Sequence, residues 1–221
     1  DKALTKKVVE GTGVRQARYY LALRYDFERN AEAVVAAAAE TLGAFPVFVK
    51  PCSQGSSVGV AKANNLLELA EGLTEAFKMD SKVLVEEFID GHEVECAVLG
   101  NERPQASTVG EIAPTQEFYT FDAKYKDESS RLYIPAHITP EQLETVRQDA
   151  LRVYTALGCR GLSRVDFFVT YDGGEVVFNE LNAIPGFTSI SMYPKLFDYE
   201  GIGYAELLDR LISLALEEHN G

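Results

Sequence analysis

A lysine at the end of a predicted strand is followed by a loop of small residues that could bind phosphate. The β-branched and aromatic segment from Phe45 ends at Lys50, and Pro51 breaks it. Residues 52–60 are rich in glycine and serine, so several backbone N–H groups can converge on one phosphate group. The segment has neither the Gly-Lys-Ser/Thr of a Walker A sequence nor a GxGxxG pattern. A phosphate-binding loop and a flexible connection between strands both fit.

Carboxylates, an amide and an arginine follow two predicted strands, 161–170 and 175–181. Side chains of a strand alternate between its two faces, so every second residue shares a face. The resulting sets are Arg164, Asp166 and Phe168 on the first strand, and Phe178, Glu180 and Asn182 on the second. The phenylalanines predicted on these faces argue against full exposure to solvent.

The turn between these strands decides which side chains meet. We expect a turn of three residues, 172–174, which makes Tyr171 oppose Glu175. In that register Asp166 opposes Glu180, and two strand positions away Arg164 opposes Asn182. Opposed carboxylates repel each other, and oxygen ligands near phosphate are what Mg²⁺ prefers. A solvent-exposed charged face paired with Arg164 is the alternative.

Four glutamates lie on the strands predicted after residues 80–85, where we expect a boundary between two lobes: Glu86, Glu87, Glu93 and Glu95. A solvated acidic face is one interpretation of this run. The other is that one of them accepts hydrogen bonds from the hydroxyl pair of a ribose. His92 and His137 have no partner at a spacing typical of a catalytic base.

The composition restricts the function classes. The 221 residues carry 34 acidic and 21 basic side chains, for a formal net charge of −13, which disfavours nucleic acid and anionic lipid as partners. Three scattered cysteines without a CxxC pair indicate neither a disulfide framework nor a zinc site. No apolar run is long enough to span a membrane. We therefore expect a cytoplasmic protein.

Helices and strands alternate along the chain. Asn30 can cap a helix over 31–42 that ends at Gly43, and a second helix follows Asn64 and Asn65 and ends near residue 80. A third helix begins at Thr139 with a capping box, and a last helix is predicted near the C-terminus. The strands 82–89 and 93–99 are predicted to form a hairpin around 90–92, with 106–112 as a third strand. This pattern predicts an α+β architecture in two lobes.

Four blocks of this sequence together resemble D-alanine:D-alanine ligase, an ATP-grasp enzyme of peptidoglycan synthesis. They are 50–60, 121–125, 164–166 and 179–189, in family order, and the resemblance covers nearly the whole chain. It implies two α+β lobes that clamp ATP between antiparallel sheets, a central lobe (1–84) and a C-terminal lobe (85–221) with a lid at about 114–132. It also implies a further N-terminal domain that this chain lacks, and it allows a homodimer of the full-length enzyme.

The resemblance also implies a role for particular residues. Catalytic roles would fall to Arg164, Ser56, Lys124 and Tyr125. The nucleotide would be bound by Lys2, Lys50, Ser56, Ser57, Glu86, Glu87, Ile89, Glu93 and Lys124. The substrate would be held by Arg164, Gly186, Ser191 and Met192. Asp166, Glu180 and Asn182 would bind the metal. The resemblance implies two Mg²⁺ ions, with Mn²⁺ as a possible substitute.

The implied reaction joins two D-alanine molecules at the expense of ATP. Phosphorylation activates the carboxylate of the first, and the amine of the second attacks the acyl phosphate. Two other functions stay open: another ATP-grasp carboxylate-amine ligase, such as a D-alanine:D-serine ligase, and a nucleotide-binding fragment without catalysis. Without the further domain we expect MgATP binding but little dipeptide formation.

Overall fold

The computed structural model describes residues 1–113 and 131–220, and these fall into two compact units. Unit 1 contains the described residues 1–7 and 17–89, and unit 2 contains 8–16, 90–113 and 131–220. The functional lobes predicted from the sequence, 1–84 and 85–221, stay a prediction; the compact units differ from them at 8–16 and 85–89. The predicted lid lies outside the described residues, except for its last two positions.

The described residues form seven α-helices and nine strands. The helices are α1 (Lys2–Val9), α2 (Arg24–Arg29), α3 (Ala31–Leu42), α4 (Leu66–Met79), α5 (Pro140–Ala156), α6 (Met192–Tyr199) and α7 (Tyr204–Asn220), with a short 3-10 helix at Glu10–Thr12. The strands are β1 (Tyr19–Leu23), β2 (Val47–Pro51), β3 (Ala61–Ala63), β4 (Lys82–Glu87), β5 (Gly91–Leu99), β6 (Gln105–Ala113), β7 (Arg131–Tyr133), β8 (Leu162–Thr170) and β9 (Val176–Asn182). Among these helices, none is both long and apolar enough to cross a membrane.

The predicted helix starts are confirmed by side-chain hydrogen bonds. Asn30 accepts from the backbone N–H of Ala33, and α3 ends at Gly43, which has a left-handed backbone. Asn65, the second of the two candidates, caps α4. Thr139 and Gln142 form the capping box of α5. Each of these signals acts within a few residues, so sequence alone is enough to find it.

Unit 1 is built on a four-stranded antiparallel sheet in the order β1-β4-β2-β3. Helices α3 and α4 cover one face, against alternate residues that include Val49 and Val85. The period-2 alternation sends Lys50 and Glu86 to the opposite face, together with Leu84. Ala3 of α1 packs against Leu84 on that opposite face. The strand alternation therefore places charged side chains beneath α1.

Unit 2 is built on a five-stranded antiparallel sheet in the order β7-β6-β5-β8-β9. Helix α5 packs on one face through Val146, Ala150 and Val153. On the other face, α6 and α7 pack against Ala97 and Leu99 of β5. Helices therefore cover the second face only at one end, and the same strands carry polar side chains beyond it.

The predicted hairpin between the strands 82–89 and 93–99 is wrong. β4 pairs with β1 and β2, whereas β5 pairs with β6 and β8, so the two strands belong to different sheets. The residues 90–92 resemble a tight turn, but here Gly91 and His92 already pair with β8. The α+β prediction with antiparallel sheets is confirmed.

Candidate functional site

The hairpin of β8 and β9 brings Asp166 opposite Glu180, as predicted, but by a different route. The turn has four residues, 171–174, because the backbone N–H of Thr170 donates to the carbonyl of Glu175. An even-numbered turn alone would place the two carboxylates on opposite faces. A register shift between residues 166 and 167, with Asn179 as the additional residue on β9, restores the facing pair.

The same bulge changes the environment predicted for Phe178. Phe178 lies in the core of unit 2, where its ring meets Phe167 edge to face. It therefore shares no face with Phe168 or with Glu180, and that part of the prediction is wrong. One additional residue moves every side chain beyond it to the other face, which no local pattern around residues 172–174 indicates.

Arg164 is the centre of a charged cluster in unit 2. Its Nε and Nη2 donate to the two carboxylate oxygens of Asp166, each over 2.8 Å. Its Nη2 also lies 3.1 Å from Oε1 of Glu95. Asn182 donates its amide N–H to Asp166 over 3.0 Å. Asp166 and Glu95 are each 2% exposed, so these charges interact where water screens them weakly.

Three carboxylates form a row across adjacent strands. Glu95 on β5 pairs with Asp166 on β8, which pairs with Glu180 on β9. Burial lowers the pKa of Arg164, but Asp166, Glu95 and Glu180 outweigh it, and the pKa of Arg164 is raised overall. Glu95 was one of the four glutamates interpreted as a solvated acidic face; its burial shows that interpretation to be wrong for this residue. Its place beside Asp166 depends on β5 pairing with β8, which the sequence does not indicate.

The side chains predicted to bind a metal have oxygen atoms that suit Mg²⁺. Asp166, Glu180 and Asn182 offer carboxylate and amide oxygens, which hard divalent cations prefer over softer metals. The described residues contain no cluster of three or more His, Cys, Asp and Glu side chains arranged to hold a metal ion. With two carboxylates and an amide, further ligands would have to be phosphate oxygens and water, as Mg²⁺ commonly has.

The predicted phosphate loop lies in unit 1, directly after β2. Ser56 and Ser57 both have positive φ, 51° and 60°, which is uncommon for residues other than glycine. Lys2 lies next to this loop: its backbone N–H donates to the carbonyl of Cys52, and its Nζ donates to the carbonyl of Gln54 over 3.0 Å. The start of α1 and the loop are therefore held together, and they carry three of the predicted nucleotide contacts, Lys2, Ser56 and Ser57.

Glu86 is paired with two lysines. Its Oε2 lies 2.5 Å from Nζ of Lys50, and its Oε1 lies 2.9 Å from Nζ of Lys6. The carboxylate is 3% exposed, and the interpretation of this residue as part of a solvated face is wrong. Burial raises the pKa of Glu86, but Lys50 and Lys6 outweigh it and lower the pKa to about 2.

The other predicted nucleotide contacts are divided between the units. The carboxylate of Glu87 accepts from the Nε of Arg18 over 2.7 Å, which occupies it within unit 1. Ile89 follows β4 at the end of the same unit. Glu93 lies on β5 of unit 2, opposite Phe168. Their roles toward a nucleotide stay predictions.

Three of the four predicted substrate residues, Gly186, Ser191 and Met192, lie close together at the start of α6, whereas Arg164 lies in the charged cluster on β8. Ser191 directly precedes this helix, and its hydroxyl accepts from the backbone N–H of Thr188 over 3.0 Å. A Cβ on Gly186 would come within 2.9 Å of the Ser191 hydroxyl oxygen, so a larger residue there would displace this hydroxyl. The side chain of Met192 packs in the core, so only its backbone N–H could contact a ligand. The remaining two predicted residues, Lys124 and Tyr125, lie outside the described residues.

A separate polar cluster joins three parts of unit 2. Nδ1 of His92 on β5 lies 2.6 Å from Oε1 of Glu111 on β6, and Nδ1 of His137 lies 2.8 Å from Oε2. The backbone N–H of His137 also donates to Glu111. An ionised carboxylate only accepts hydrogen bonds, so each Nδ1 must carry the proton. Burial raises the pKa of Glu111, but the hydrogen bonds from both histidines outweigh it and lower the pKa.

Glu111→Gln should destabilise the protein at neutral pH by about 1 to 3 kcal/mol, because the histidine N–H groups then face a buried neutral amide instead of a buried carboxylate. The folded-state pKa of Glu111 is lowered, so its stabilising effect is present above the unfolded-state pKa and is lost as the pH falls through the folded value. Thermal unfolding of both proteins from pH 7 to pH 3 measures this. The difference in stability between Glu111→Gln and the unaltered protein should shrink toward acid pH. The control Glu144→Gln, at an exposed glutamate, should show no such difference. A difference for Glu111→Gln that stays constant with pH would contradict the role assigned to Glu111.

Comparison with known proteins gives the family. Residues 8–213 match the family described as D-ala D-ala ligase C-terminus. The D-alanine–D-alanine ligase of Clostridium novyi is 48% identical over 220 residues, covering 100% of this chain and 64% of the relative. That of Acetivibrio thermocellus is 50% identical over 220 residues, covering 100% and 58%. The chain thus spans about three fifths of the length of these curated relatives.

Solved structures agree with the sequence relatives. The VanG D-Ala:D-Ser ligase from Enterococcus faecalis superimposes with a TM-score of 0.85 and 40% identity, covering 97% of this chain and 61% of that one. The D-alanine-D-alanine ligase from Coxiella burnetii gives 0.83 and 34%, covering 99% and 58%. The resemblance found in the sequence is confirmed. The chain belongs to the D-Ala–D-Ala ligase C-terminal family and has the ATP-grasp fold of these ligases.

Proposed function

We propose that this chain carries the nucleotide-binding and metal-binding parts of an ATP-dependent D-alanine:D-alanine ligase for peptidoglycan synthesis. The observation that carries the proposal is the bulged β8–β9 hairpin, which places Asp166 and Glu180 in a facing pair beside Arg164. The family match supports the reaction class. A cytoplasmic location, a partner domain and a homodimer stay predictions.

The residues of unit 1 bind the nucleotide in this proposal. Lys2 and Lys50 contact the phosphates, and the backbone N–H groups around Ser56 and Ser57 donate to phosphate oxygens. Glu86 is held ionised by its lysine neighbours and accepts from the amine of adenine. Charge-assisted bonds of this kind are the strong class of hydrogen bond, so the loop and the lysines supply most of the binding of the phosphates.

Asp166, Glu180 and Asn182 would hold Mg²⁺. When bound, the metal would neutralise phosphate charge and so favour the transfer. Arg164 steadies the carboxylate of the first D-alanine, whose oxygen attacks the γ-phosphorus while the bond from that phosphorus to ADP breaks. The product is D-alanyl phosphate, which is a far better electrophile than a carboxylate.

The second D-alanine is held at the start of α6. Ser191 and the backbone N–H of Met192 bind its carboxylate at the positive end of the helix dipole. Its amine attacks the carbonyl carbon of the acyl phosphate and gives up a proton to water. The bond from that carbon to the phosphate oxygen breaks, and the electron pair leaves on phosphate. Arg164 stabilises the negative charge on the tetrahedral centre.

The second candidate function is a D-alanine:D-serine ligase, which the likeness to the Enterococcus faecalis structure favours. A small pocket discriminates weakly against an added hydroxyl, so both amino acids can fit the same residues. A nucleotide-binding fragment without catalysis is the remaining alternative.

The test is titration calorimetry of the 221-residue chain with ATP, with and without Mg²⁺. It is followed by phosphate release and product analysis with D-alanine alone, D-alanine with D-serine, and D-alanine with D-lactate. We expect Mg²⁺-dependent ATP binding and, where turnover occurs, a dipeptide as product. Binding of MgATP without turnover would favour the nucleotide-binding fragment without catalysis. D-alanyl-D-serine as the main product would favour the D-alanine:D-serine ligase. Failure to bind MgATP would contradict the proposal.

A further inference from the structure

Lys6 is a buried lysine on α1 that has no role in the proposed reaction. It lies one helical turn after Lys2, its side chain is 2% exposed, and its Nζ lies 2.9 Å from Glu86. The opposite oxygen of the same carboxylate lies 2.5 Å from Lys50. A buried lysine is rare because its charge is costly to remove from water. Its position therefore needs a reason.

We propose that Lys6 is a positioning residue that keeps Glu86 charge-compensated and in place while Lys50 moves from Glu86 to a nucleotide phosphate. This inference rests on the proposed function, in which Lys50 contacts phosphate and Glu86 contacts adenine. The two lysines bind different oxygens of one carboxylate, so one can leave while the other remains.

The balance of charge supports an exchange of partners. Two ammonium groups face one carboxylate, so the three side chains of Lys6, Lys50 and Glu86 together carry a net charge of +1 before a ligand arrives. When Lys50 turns to a phosphate, Lys6 and Glu86 remain as a neutral pair. Without Lys6, the same movement would leave Glu86 as an isolated charge in a buried place, which is the costly way to break a buried ion pair.

Other groups also lie near Lys6. Lys6 and Lys7 both lie over the ring of Tyr19, at 5.3 Å and 5.8 Å from its centroid. Burial lowers the pKa of Lys6, and Lys50 lowers it further, whereas Glu86 and Glu87 raise it. The pKa of Lys6 is therefore lowered overall, yet the carboxylate beside it favours the charged form.

Lys6→Met should weaken MgATP binding on the order of 10-fold to 100-fold, because Lys50 must then leave a carboxylate that has no second cation. Calorimetry measures the dissociation constant. Lys6→Arg, which keeps a cation, should restore most of the affinity. Lys7→Met is the matched control, since Lys7 is exposed on the same helix and contacts the same ring, and it should bind like the unaltered chain.

Proton uptake separates this role from a merely structural one. In Lys6→Met, the Glu86 carboxylate should take up a proton when MgATP draws Lys50 away, since burial then raises its pKa unopposed. Calorimetry in buffers of different ionisation enthalpy gives the number of protons taken up on binding. The number for Lys6→Met minus the number for the unaltered chain gives the uptake that is due to Glu86. A complex that gains a proton binds more tightly as the pH falls, so the affinity deficit of the variant should narrow from pH 8.5 to pH 6.

The outcomes are distinct. The exchange of Lys50 from Glu86 to phosphate is supported if Lys6→Met binds MgATP more weakly and takes up an extra proton. If the methionine variant does not fold, Lys6→Gln is measured in its place. Unchanged affinity and proton count with a shifted unfolding temperature would overturn the exchange and leave the proposed function intact. Absence of MgATP binding by the unaltered chain would overturn both.

Discussion

Asp166→Asn should lower the rate of phosphate release on the order of a thousandfold and raise the Mg²⁺ concentration needed for ATP binding. A metal ion supplies several kcal/mol of charge stabilisation in phosphoryl transfer, and about 4 kcal/mol corresponds to a thousandfold in rate. The asparagine keeps the shape of the side chain but removes the negative charge that a hard cation requires. Arg164 keeps Glu95 as a carboxylate partner, so the fold should tolerate the change.

The matched control for this variant is Asp149→Asn. Asp149 is also a buried aspartate of unit 2 paired with an arginine, over 2.9 Å to Arg152, but it lies on α5, which packs on the opposite face of the sheet. Phosphate release across a Mg²⁺ series, together with MgATP affinity by calorimetry, is measured for both. If Asp166→Asn keeps the Mg²⁺ dependence of the unaltered chain, the metal assignment is wrong.

Local signals in the sequence predicted much of the fold. The caps at Asn30 and Thr139, and the glycine that ends α3, are each decided within one or two helical turns. Sheet membership is different, because β4 pairs with β1 and β2, and β5 pairs with β8 as well as with the neighbouring β6, so most of these partners lie far away in the sequence. The residues 90–92 look like a turn, yet the pairing partners of the flanking strands decide the outcome, and those partners cannot be seen locally.

The candidate site was predicted only in part for the same physical reason. The pairing of Asp166 with Glu180 was predicted from a three-residue turn, whereas a four-residue turn and a bulge at Asn179 produce it. The wrong turn length and the missed bulge compensate each other in the pairing of Asp166 with Glu180. They do not compensate for Phe178, which was predicted on the same face as Glu180 but lies in the core. Glu95 was missed because it reaches Asp166 only through the pairing of β5 with β8.

Lys6 could have been noticed in the sequence. It follows Lys2 by four residues, which places both on one face of a helix. Long charged side chains are usually exposed, so the pattern alone favours a solvated face. Only the packing of α1 on the strand face that carries Glu86 gives this lysine a buried partner.

Lys50→Ala should weaken the binding of ATP by about 1.5 to 3 kcal/mol, roughly 10-fold to 150-fold, because a lysine facing phosphate makes charge-assisted hydrogen bonds. The fold should tolerate the loss, since Glu86 keeps Lys6 as its counter-ion. Lys78→Ala is the control: Lys78 is an exposed lysine in the same unit that pairs with Glu75. Lys62 is a poorer control because its Nζ lies over the ring of Phe88, close to the residues proposed to bind adenine.

A series of ligands shows whether the effect of Lys50→Ala comes from the phosphates. Calorimetry with ATP, ADP and adenosine should give a large loss of affinity for the two phosphorylated ligands and none for adenosine, because Lys50 is proposed to meet phosphate oxygens and not the base. The loss should also diminish at high salt, since added ions screen a partly exposed lysine. An equal loss for all three ligands would instead mean that Lys50 acts by holding Glu86 for the base. An unchanged affinity for ATP would show that residues 50–60 do not bind the phosphates.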